Sequence, residues 1–347
     1  MPTPAPGVAI SFSQVNAEFG LTTPSPMNAN YRFAPGTYTP ATPAIPTVSG
    51  ATFPVDVLHG LTKAVAPVAP FITSYTHPNP EATSPYTTTW TSTLTGNIKV
   101  LTVGGGGGGA CGANRAGGGG GGGGVCYNSA FPVVNGTVYN IAVGHGGVAG
   151  IWPGAAPTLA NGVNGGDSSF STVVGRGGGY GSCNFSSASP GGCGGGGGQD
   201  TRPGGGGPTV NTVATQPTSG SPGTNYGSVG AIGRPAFYRG GGGGGAFNAA
   251  TTVPTSVNSG GAGVPNSITG AAVRYAGGGG GAYQTSANAA GVGGAGGVGG
   301  GGAGSNGNAN ATPGTNNLGG GGGGGTSGTA VWAGGRGGNG IVIIAYP

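Results

Sequence analysis

Charged side chains are scarce in this chain and make up 4% of its 347 residues. Five carboxylates are present: Glu18, Asp56, Glu81, Asp167 and Asp200. General acid–base catalysis needs positioned titratable groups, and neither a GxSxG nor an HExxH motif occurs. No glycine run is followed by Lys-Ser or Lys-Thr, which excludes a phosphate-binding loop of that kind. We therefore expect a protein that is not an enzyme and uses no cofactor, and we interpret Asp167 as a turn or strand-start residue.

Positive charge is thin as well, because ten Lys and Arg residues give a net charge of only +5. A nucleic-acid surface normally shows a clustered basic patch, whereas the arginines here stand singly beside or near glycine. The repeated Arg-Gly-Gly array of single-strand binders is absent. We expect no nucleic-acid partner, and we expect the scattered arginines to cap carbonyl groups or to pair locally.

Cysteine, histidine and long apolar runs are also sparse. The four cysteines form no CxxC motif and the three histidines are isolated, so no metal site is expected. The cysteines fit two local disulfides, Cys111–Cys126 and Cys183–Cys193, or four buried free thiols, and the sequence leaves both open. No segment has the length of a membrane-spanning helix, and the first residues lack the basic start and apolar stretch of a signal peptide. We expect no membrane insertion and no export by the usual route.

Glycine, in contrast, is abundant, with 91 residues, many of them in uninterrupted runs at 104–109, 117–124, 194–198, 240–245, 277–281 and 319–325. Together with 28 prolines this resembles low-complexity sequence, and glycine loses the most conformational entropy on ordering. However, disordered chains are rich in charge, whereas this chain is 35% hydrophobic. We therefore predict ordered runs in the polyproline-II conformation, whose outward N–H and C=O groups are satisfied by packing against other runs.

Several segments rich in β-branched and aromatic residues border the runs and predict strands. Segments 86–94 and 98–103 are predicted to form a hairpin through Thr95-Gly96-Asn97. A second hairpin is predicted within 133–143, where Asn135-Gly136 is a favoured turn dipeptide. A shorter strand is predicted at Val173-Val174. The apolar segment 340–347 predicts a strand that is buried on both faces.

The predicted fold is all-β with packed polyglycine-II helices, in which short strands bracket a glycine-rich lattice. Essentially no α-helix is expected beyond a short N-terminal turn. Residues 1–48 are predicted to be a docking segment, with a short strand and a turn of helix within 9–20, and are too short for a core of their own. Residues 49–88 are predicted to be a Pro/Thr-rich connector, with a strand at 55–58. Residues 89–347 form the predicted glycine-rich domain.

The loops between the runs are rich in Asn, Thr, Ser, Tyr and Pro, a mixture typical of adaptable binding loops. They include the long segments 208–239 and 247–275. Rigid scaffolds commonly carry binding sites on such loops, although solvated turns are an equally good interpretation of any one of them. The candidate binding residues are the aromatic residues Trp152, Tyr180, Phe185, Tyr226, Phe237, Tyr238, Phe247 and Tyr283.

The order of these elements resembles the glycine-rich domains of bacteriophage tail fibres and related virion proteins. The resemblance covers about residues 86–347. It rests on Ile-Lys-Val-Leu-Thr-Val before the first run, on Val-Gly-His-Gly-Gly at 143–147, on Gly-Gly-Asp-Ser-Ser-Phe at 165–170, on Tyr-Ala before the run at 277, and on the closing Gly-Gly-Asn-Gly-Ile-Val-Ile-Ile-Ala-Tyr. Polyglycine-II tail-fibre adhesins offer an analogy.

The resemblance implies a virion fibre or fibre-tip protein, located on the extracellular particle and assembled in the host cytoplasm. The N-terminal segment would contact other virion proteins, and the candidate aromatic residues would bind a host surface receptor, an outer-membrane protein or a polysaccharide. A homotrimer is compatible with this expectation. The alternative is a non-adhesive structural role as a capsid decoration or a fibre shaft subunit.

Overall fold

The computed structural model describes residues 31–33, 61–63, 71–112, 115–151, 160–183, 186–199, 214–216, 222–234, 238–250, 258–284, 291–307, 309–326 and 333–346. The chain divides into two compact units, Met1–Ala69 and Pro70–Pro347. In the first unit, β1 (Tyr31–Phe33) pairs with β2 (Leu61–Lys63) in antiparallel fashion. The strand and helical turn predicted within 9–20 and the strand predicted at 55–58 lie outside the described residues.

The described part of the second unit is built from strands and extended segments. The strands are β3 (Phe71–Thr76), β4 (Tyr86–Thr91), β5 (Gly96–Val103), β6 (Cys111–Gly112), β7 (Val125–Val133), β8 (Val138–Val143), β9 (Ser168–Phe170), β10 (Val173–Gly175), β11 (Thr224–Tyr226), β12 (Val264–Asn266), β13 (Val273–Tyr275), β14 (Gly325–Thr326) and β15 (Ile341–Tyr346). None of the described residues is helical. The all-β prediction is therefore confirmed.

Two antiparallel sheets pack face to face at one end of this unit. The five-stranded sheet has the order β11-β7-β5-β15-β3, and the four-stranded sheet has the order β10-β9-β8-β4. Apolar side chains of both sheets share one buried cluster, in which Ile98 and Ile344 of the first sheet meet Ile141 and Phe170 of the second. The ring of Phe170 lies 5.4 Å from that of Phe131 and 5.5 Å from that of Tyr139, between centroids. Such aromatic pairs add to the stabilisation that burial alone provides.

Both predicted hairpins are wrong in their pairing, although their strands exist. Strand β4 pairs with β8, whereas β5 pairs with β7 and β15, so each predicted hairpin is divided between the two sheets. The two crossing segments lie side by side, because Ser92 donates to Thr137 O at 2.9 Å and Gly136 donates to Ser92 O at 2.8 Å. Crossing lets each strand turn its apolar face toward the space between the sheets, which a single flat hairpin cannot enclose.

Strand β15 is an interior strand of the five-stranded sheet, between β5 and the edge strand β3. Its side chains alternate between two buried clusters. Val342 and Ile344 face the four-stranded sheet, whereas Ile341 and Ile343 pack with Val264 and Tyr275 of β12 and β13. Burial of β15 on both faces is therefore confirmed.

Two segments that were predicted to lack regular packing belong to this core. Strand β3 lies within the predicted connector 49–88, and the compact unit begins at Pro70. The β12–β13 pair lies within 247–275, which was predicted to be a displayed loop. That prediction is wrong for 264–275, because the buried side chains of Val264, Ile268 and Tyr275 hold the pair against β15. Strand β10 confirms the strand at Val173-Val174.

The glycine runs extend from this end of the unit and bond to one another through their backbones. The N–H groups of 117–124 donate to three segments, namely 319–325, 176–182 and 240–245. The C=O groups of the same run accept hydrogen bonds from three other segments, namely 104–110, 193–198 and 276–282. Each neighbour is contacted at every third residue. For example, Gly117, Gly120 and Gly123 donate to Gly325, Gly322 and Gly319 in turn.

A repeat of three is the repeat of the polyproline-II helix, and the bonded runs form the glycine lattice of this structure. The polyglycine-II backbone conformation itself stays a prediction. The close packing requires glycine, because a Cβ atom added at Gly120 would lie under 3.0 Å from the backbone of Gly107. Backbone groups buried in the lattice thus find partners without water, as buried peptide groups must.

All four cysteines are buried free thiols, which confirms the second of the two interpretations. Their positions explain why the local pairs do not form. Cys111 precedes run 117–124 and Cys126 follows it, so the run separates them along the lattice. Cys183 Sγ contacts Asn161 Oδ1 at 3.3 Å, whereas Cys193 Sγ contacts Gly123 O at 3.5 Å near the sheets.

Candidate binding surface at the far end of the glycine lattice

The lattice has two distinct ends. Run 104–109 leaves β5 and run 117–124 enters β7, so Gly104 and Gly124 lie beside the five-stranded sheet and bond to each other at 3.0 Å. At the opposite end, Ala110 donates to Gly118 O at 3.0 Å. We call this opposite side the far end. It carries neither of the two large sheets, and its strand pairing is limited to the short β6–β14 pair and isolated bridges such as that of Cys111 with Ala160.

Many of the connections between runs have their flanking residues at the far end. Gly150 donates to Gly109 O, Cys111 to Ala160 O and Gly118 to Ser182 O. Similarly, Gly240 donates to Ala282 O and Ala282 donates to Gly117 O. The segments that leave the lattice between these flanks therefore begin and end on one surface. This clustering follows from runs of similar length that alternate in direction.

The candidate aromatic residues divide between several places. Tyr238 and Tyr283 lie together at the far end, where Gln284 N donates to Tyr238 O at 2.9 Å. Tyr226 lies in β11 and packs against the core beside the five-stranded sheet. Phe247 is exposed next to Ala246, a residue of that same core. Half-buried Tyr180 lies within segment 176–182, and Trp152, Phe185 and Phe237 are outside the described residues.

Tyr238 and Tyr283 differ in what they can offer to a partner. Tyr238 is 45% exposed and has a φ of 56°, a left-handed conformation that is uncommon for a residue other than glycine. Tyr283 is 8% exposed, and its ring leaves no room for a side chain at position 291. The exposed ring of Tyr238 is therefore available to a partner, whereas the buried ring of Tyr283 packs against neighbouring residues.

Two arginines complete this far-end group, and sequence reasoning missed them as site residues. Arg234 N donates to Arg239 O at 2.7 Å, and Arg239 N donates to Arg234 O at 3.2 Å. The guanidinium carbon of Arg239 lies 5.4 Å from the ring centroid of Tyr283, a cation–π contact. We call Arg234, Tyr238, Arg239, Tyr283 and Gln284 the arginine–tyrosine cluster. One sequence signal points to this cluster: Arg234 and Arg239 stand on either side of a short connection.

The cluster holds buried polar atoms that lack hydrogen-bond partners: Arg234 Nε, Arg239 Nη1 and Gln284 Oε1. Arg336 Nε is also buried without a hydrogen-bond partner, whereas Arg176 and Arg274 pair locally or cap a carbonyl group as expected. Arg176 Nη1 contacts Asp167 Oδ2 at 2.7 Å, and Arg274 Nη1 donates to Gly263 O at 2.9 Å. Asp167, directly before β9, also accepts from Gly177 N at 2.8 Å, as a strand-start residue would.

A second surface lies on the outer face of the four-stranded sheet. Thr87, Thr89, Asn140, Ala142 and Ser169 line a shallow open depression of about 490 Å³. Directly paired residues such as Thr89 and Asn140 share this face because they are opposite in the β4–β8 register. The depression offers hydroxyl and amide groups but no charge.

Within the described ranges, no group of three His, Cys, Asp or Glu residues could hold a metal ion. The same ranges hold no helix of the length and apolar character that a membrane span requires.

A family model described as a glycine-rich domain matches residues 82–347. The match begins just before β4 and ends with the chain, so it includes the lattice and most of both sheets. No curated protein matches the chain.

Proposed function

Because residues 82–347 make this chain a member of the glycine-rich domain family, we propose that the domain is a display scaffold in a bacteriophage fibre or fibre tip, whose far-end loops bind the host surface. The observation that carries the proposal is the clustering of inter-run connections at the end of the lattice that lacks a main sheet. The sequence resemblance to tail-fibre glycine-rich domains supplies the biological setting.

The scaffold suits recognition for a physical reason. A lattice whose backbone groups bond on all sides cannot shift one run without breaking bonds to several others. The residues that flank each loop are therefore held in fixed relative positions, which lowers the entropy lost when a partner binds. The tyrosine and asparagine residues of these loops supply contact area and hydrogen bonds without net charge.

The proposal extends to the position of the chain in the particle. The N-terminal segment would contact other virion proteins, in one copy or in a homotrimer, and the far end would point toward an outer-membrane protein or a polysaccharide. Gold-labelled antibody against the far-end loops, imaged on intact particles, should mark the tip of a fibre. Label along a shaft or on the capsid would favour the non-adhesive structural role.

A loop exchange tests the adhesive role directly. Residues 235–237 and 285–290 would be replaced by the matching loops of another glycine-rich domain, and adsorption of the particles to host cells would be measured. We expect adsorption to fall or to move to another host while assembly stays normal. Replacement of 269–272, the turn between β12 and β13 beside the sheets, is the matched control and should leave adsorption unchanged. Unaltered adsorption after both far-end exchanges would contradict the proposal.

A further inference from the structure

The arginine–tyrosine cluster has more positive charge than its described surroundings balance. Arg176 has Asp167 at 2.7 Å, and Arg336 has Glu81 at 3.7 Å and donates to Gly146 O at 2.9 Å. Among the residues that the structure describes, no carboxylate lies within 4.0 Å of Arg234 or Arg239. Arg234 Nε and Arg239 Nη1 are nevertheless buried and unpaired. A buried guanidinium N–H without an acceptor is costly, so an external acceptor would stabilise the cluster.

The backbone directs the side chains of Arg234 and Arg239 to the same face. Arg234 and Arg239 are directly opposite in an antiparallel bridge, and each donates to the other's carbonyl oxygen. Side chains at opposite positions project to the same face, with Cβ atoms about 4.5–5.5 Å apart, and like charges there repel. An anion between them removes that repulsion. Arginine forks fit the planar oxygens of a carboxylate in particular.

The neighbours of the pair add features that a simple ion would not use. The Tyr283 ring holds one side of the Arg239 guanidinium. Gln284 Oε1 is a buried acceptor without a donor, and it belongs to a residue that bonds to Tyr238. The exposed ring of Tyr238 offers both an apolar face and a hydroxyl group. A ligand with a carboxylate, a hydroxyl donor and a flat apolar face would contact the arginine pair, Gln284 and Tyr238 at the same time.

We propose that the arginine–tyrosine cluster binds a carboxylate-bearing sugar of a host surface polysaccharide. The carboxylate lies between Arg234 and Arg239, a sugar hydroxyl donates to Gln284 Oε1, and the sugar ring packs on Tyr238. This inference rests on the proposed function, because it specifies the ligand class of the far-end surface.

Binding of the full chain to polygalacturonate oligosaccharides, measured by calorimetry, tests the site. The double variant Arg234→Gln/Arg239→Gln should bind about tenfold more weakly or worse, since it loses charge-assisted hydrogen bonds. Arg274→Gln is the matched control, because it removes the same kind of charge beside the sheets, and it should bind as the wild type does. Neutral dextran should not bind to any of these proteins. Equal binding by the double variant and the wild type, or an equal loss in Arg274→Gln, would overturn the proposal.

An internal carboxylate is the rival explanation and needs its own measurement. Asp200 follows Gln199, whose backbone N–H donates to Ala116 O at the far end. A double-mutant cycle of Asp200→Asn with Arg239→Gln, scored by unfolding free energy, should show additive effects if the arginine awaits an external anion. Strong coupling in this cycle would overturn the proposal by assigning Asp200 as the partner.

The adhesive role and the carboxylate site can be rejected separately. Loss of adsorption after loop exchange, together with no binding of polygalacturonate by the wild type, would retain the adhesive role and reject this site. Binding of polygalacturonate that needs both arginines, with adsorption unchanged by loop exchange, would retain the site and reject the adhesive role.

Discussion

At the scale of single residues, glycine is important in this protein because it has no side chain, which lets backbones pack in direct contact. In a usual core, side chains fill the space between backbones, and close packing comes from their shapes. In the lattice the backbones themselves meet, so a single methyl group has no space to occupy. The arginines show the opposite use of side chains, since Arg176 pairs with the carboxylate of Asp167 and Arg274 caps the carbonyl oxygen of Gly263.

Substitution of a lattice glycine should therefore be severe. Gly120→Ala places Cβ under 3.0 Å from the backbone of Gly107, and both segments bond to further runs, so neither can shift freely. We expect a loss of about 3 kcal/mol or more in the free energy of unfolding, at or above the upper range for overpacking. Urea unfolding of the full chain measures it.

Gly136→Ala is the control for that measurement. Its added Cβ meets no atom within 4 Å, and only its φ of 79° disfavours alanine. A cost of about 1–2 kcal/mol is expected for the left-handed conformation. Equal costs at the two positions would contradict the packing argument.

The buried thiols should make stability depend on pH in the alkaline range. Burial raises the pKa of Cys183 to about 11 and that of Cys193 to about 12, from an ordinary value of 9.0. Above pH 9 the unfolded chain loses these protons while the folded chain keeps them. Stability is thus fully present below about pH 9 and falls toward pH 12, by at most about 1.4 kcal/mol per pH unit for each thiol.

The variants Cys183→Ala and Cys193→Ala separate this effect from others. Burial also raises the pKa of Tyr75 and Tyr275 from 10.0, and these groups act in the same direction at higher pH. The difference in the slope of unfolding free energy against pH between the wild type and the double Cys→Ala variant, measured by urea unfolding between pH 9 and 10, therefore isolates the two thiols. A slope that is unchanged in the double Cys→Ala variant would refute the assignment.

At the scale of elements, the sequence predicted which segments are strands better than which strands pair. β-Branched residues mark 98–103 and 341–346 clearly, and both are strands. Pairing depends instead on where a two-layer core needs each apolar face. The turn at Asn135-Gly136 has favoured hairpin residues, yet the chain uses it to cross between sheets. No local signal distinguishes these two uses.

The same limit applies to the candidate site. The sequence indicated aromatic loop residues, and of the described ones only Tyr238 and Tyr283 meet at the far end. Arg234 and Arg239 pair across a short connection, but the contact of Arg239 with Tyr283 depends on how the runs that end there are arranged in the lattice. Glycine has no side chain to specify a neighbour, so the order of runs cannot be obtained from their composition.

Hydrogen exchange tests the runs as elements. Amides of 117–124 donate to three separate segments, so their exchange requires the opening of several runs together. We expect them to exchange with free energies near that of global unfolding. Amides beside the exposed turn at Gly270 serve as the comparison and should exchange quickly. Rapid exchange throughout 117–124 would show that the runs are not a bonded lattice.

At the scale of the whole molecule, two kinds of interior stabilise one compact unit. The two sheets and the β12–β13 pair enclose apolar side chains in the usual way. The lattice encloses mostly peptide groups, whose hydrogen bonds replace those made with water and give a modest net gain each. The apolar core at one end therefore orders the chain segments from which the runs extend, and the runs carry that order to the far end.

This division should appear in the heat capacity of unfolding. Exposure of apolar surface raises the heat capacity and exposure of polar surface lowers it, and ordinary proteins give about 12–15 cal/mol/K per residue. Unfolding of the lattice exposes peptide groups in unusual proportion, so calorimetry of the full chain should give a value clearly below that range. An ordinary value would mean that apolar burial dominates throughout. Hydrophobic contacts, and not the backbone hydrogen bonds of the lattice, would then hold the residues that flank the far-end loops in place.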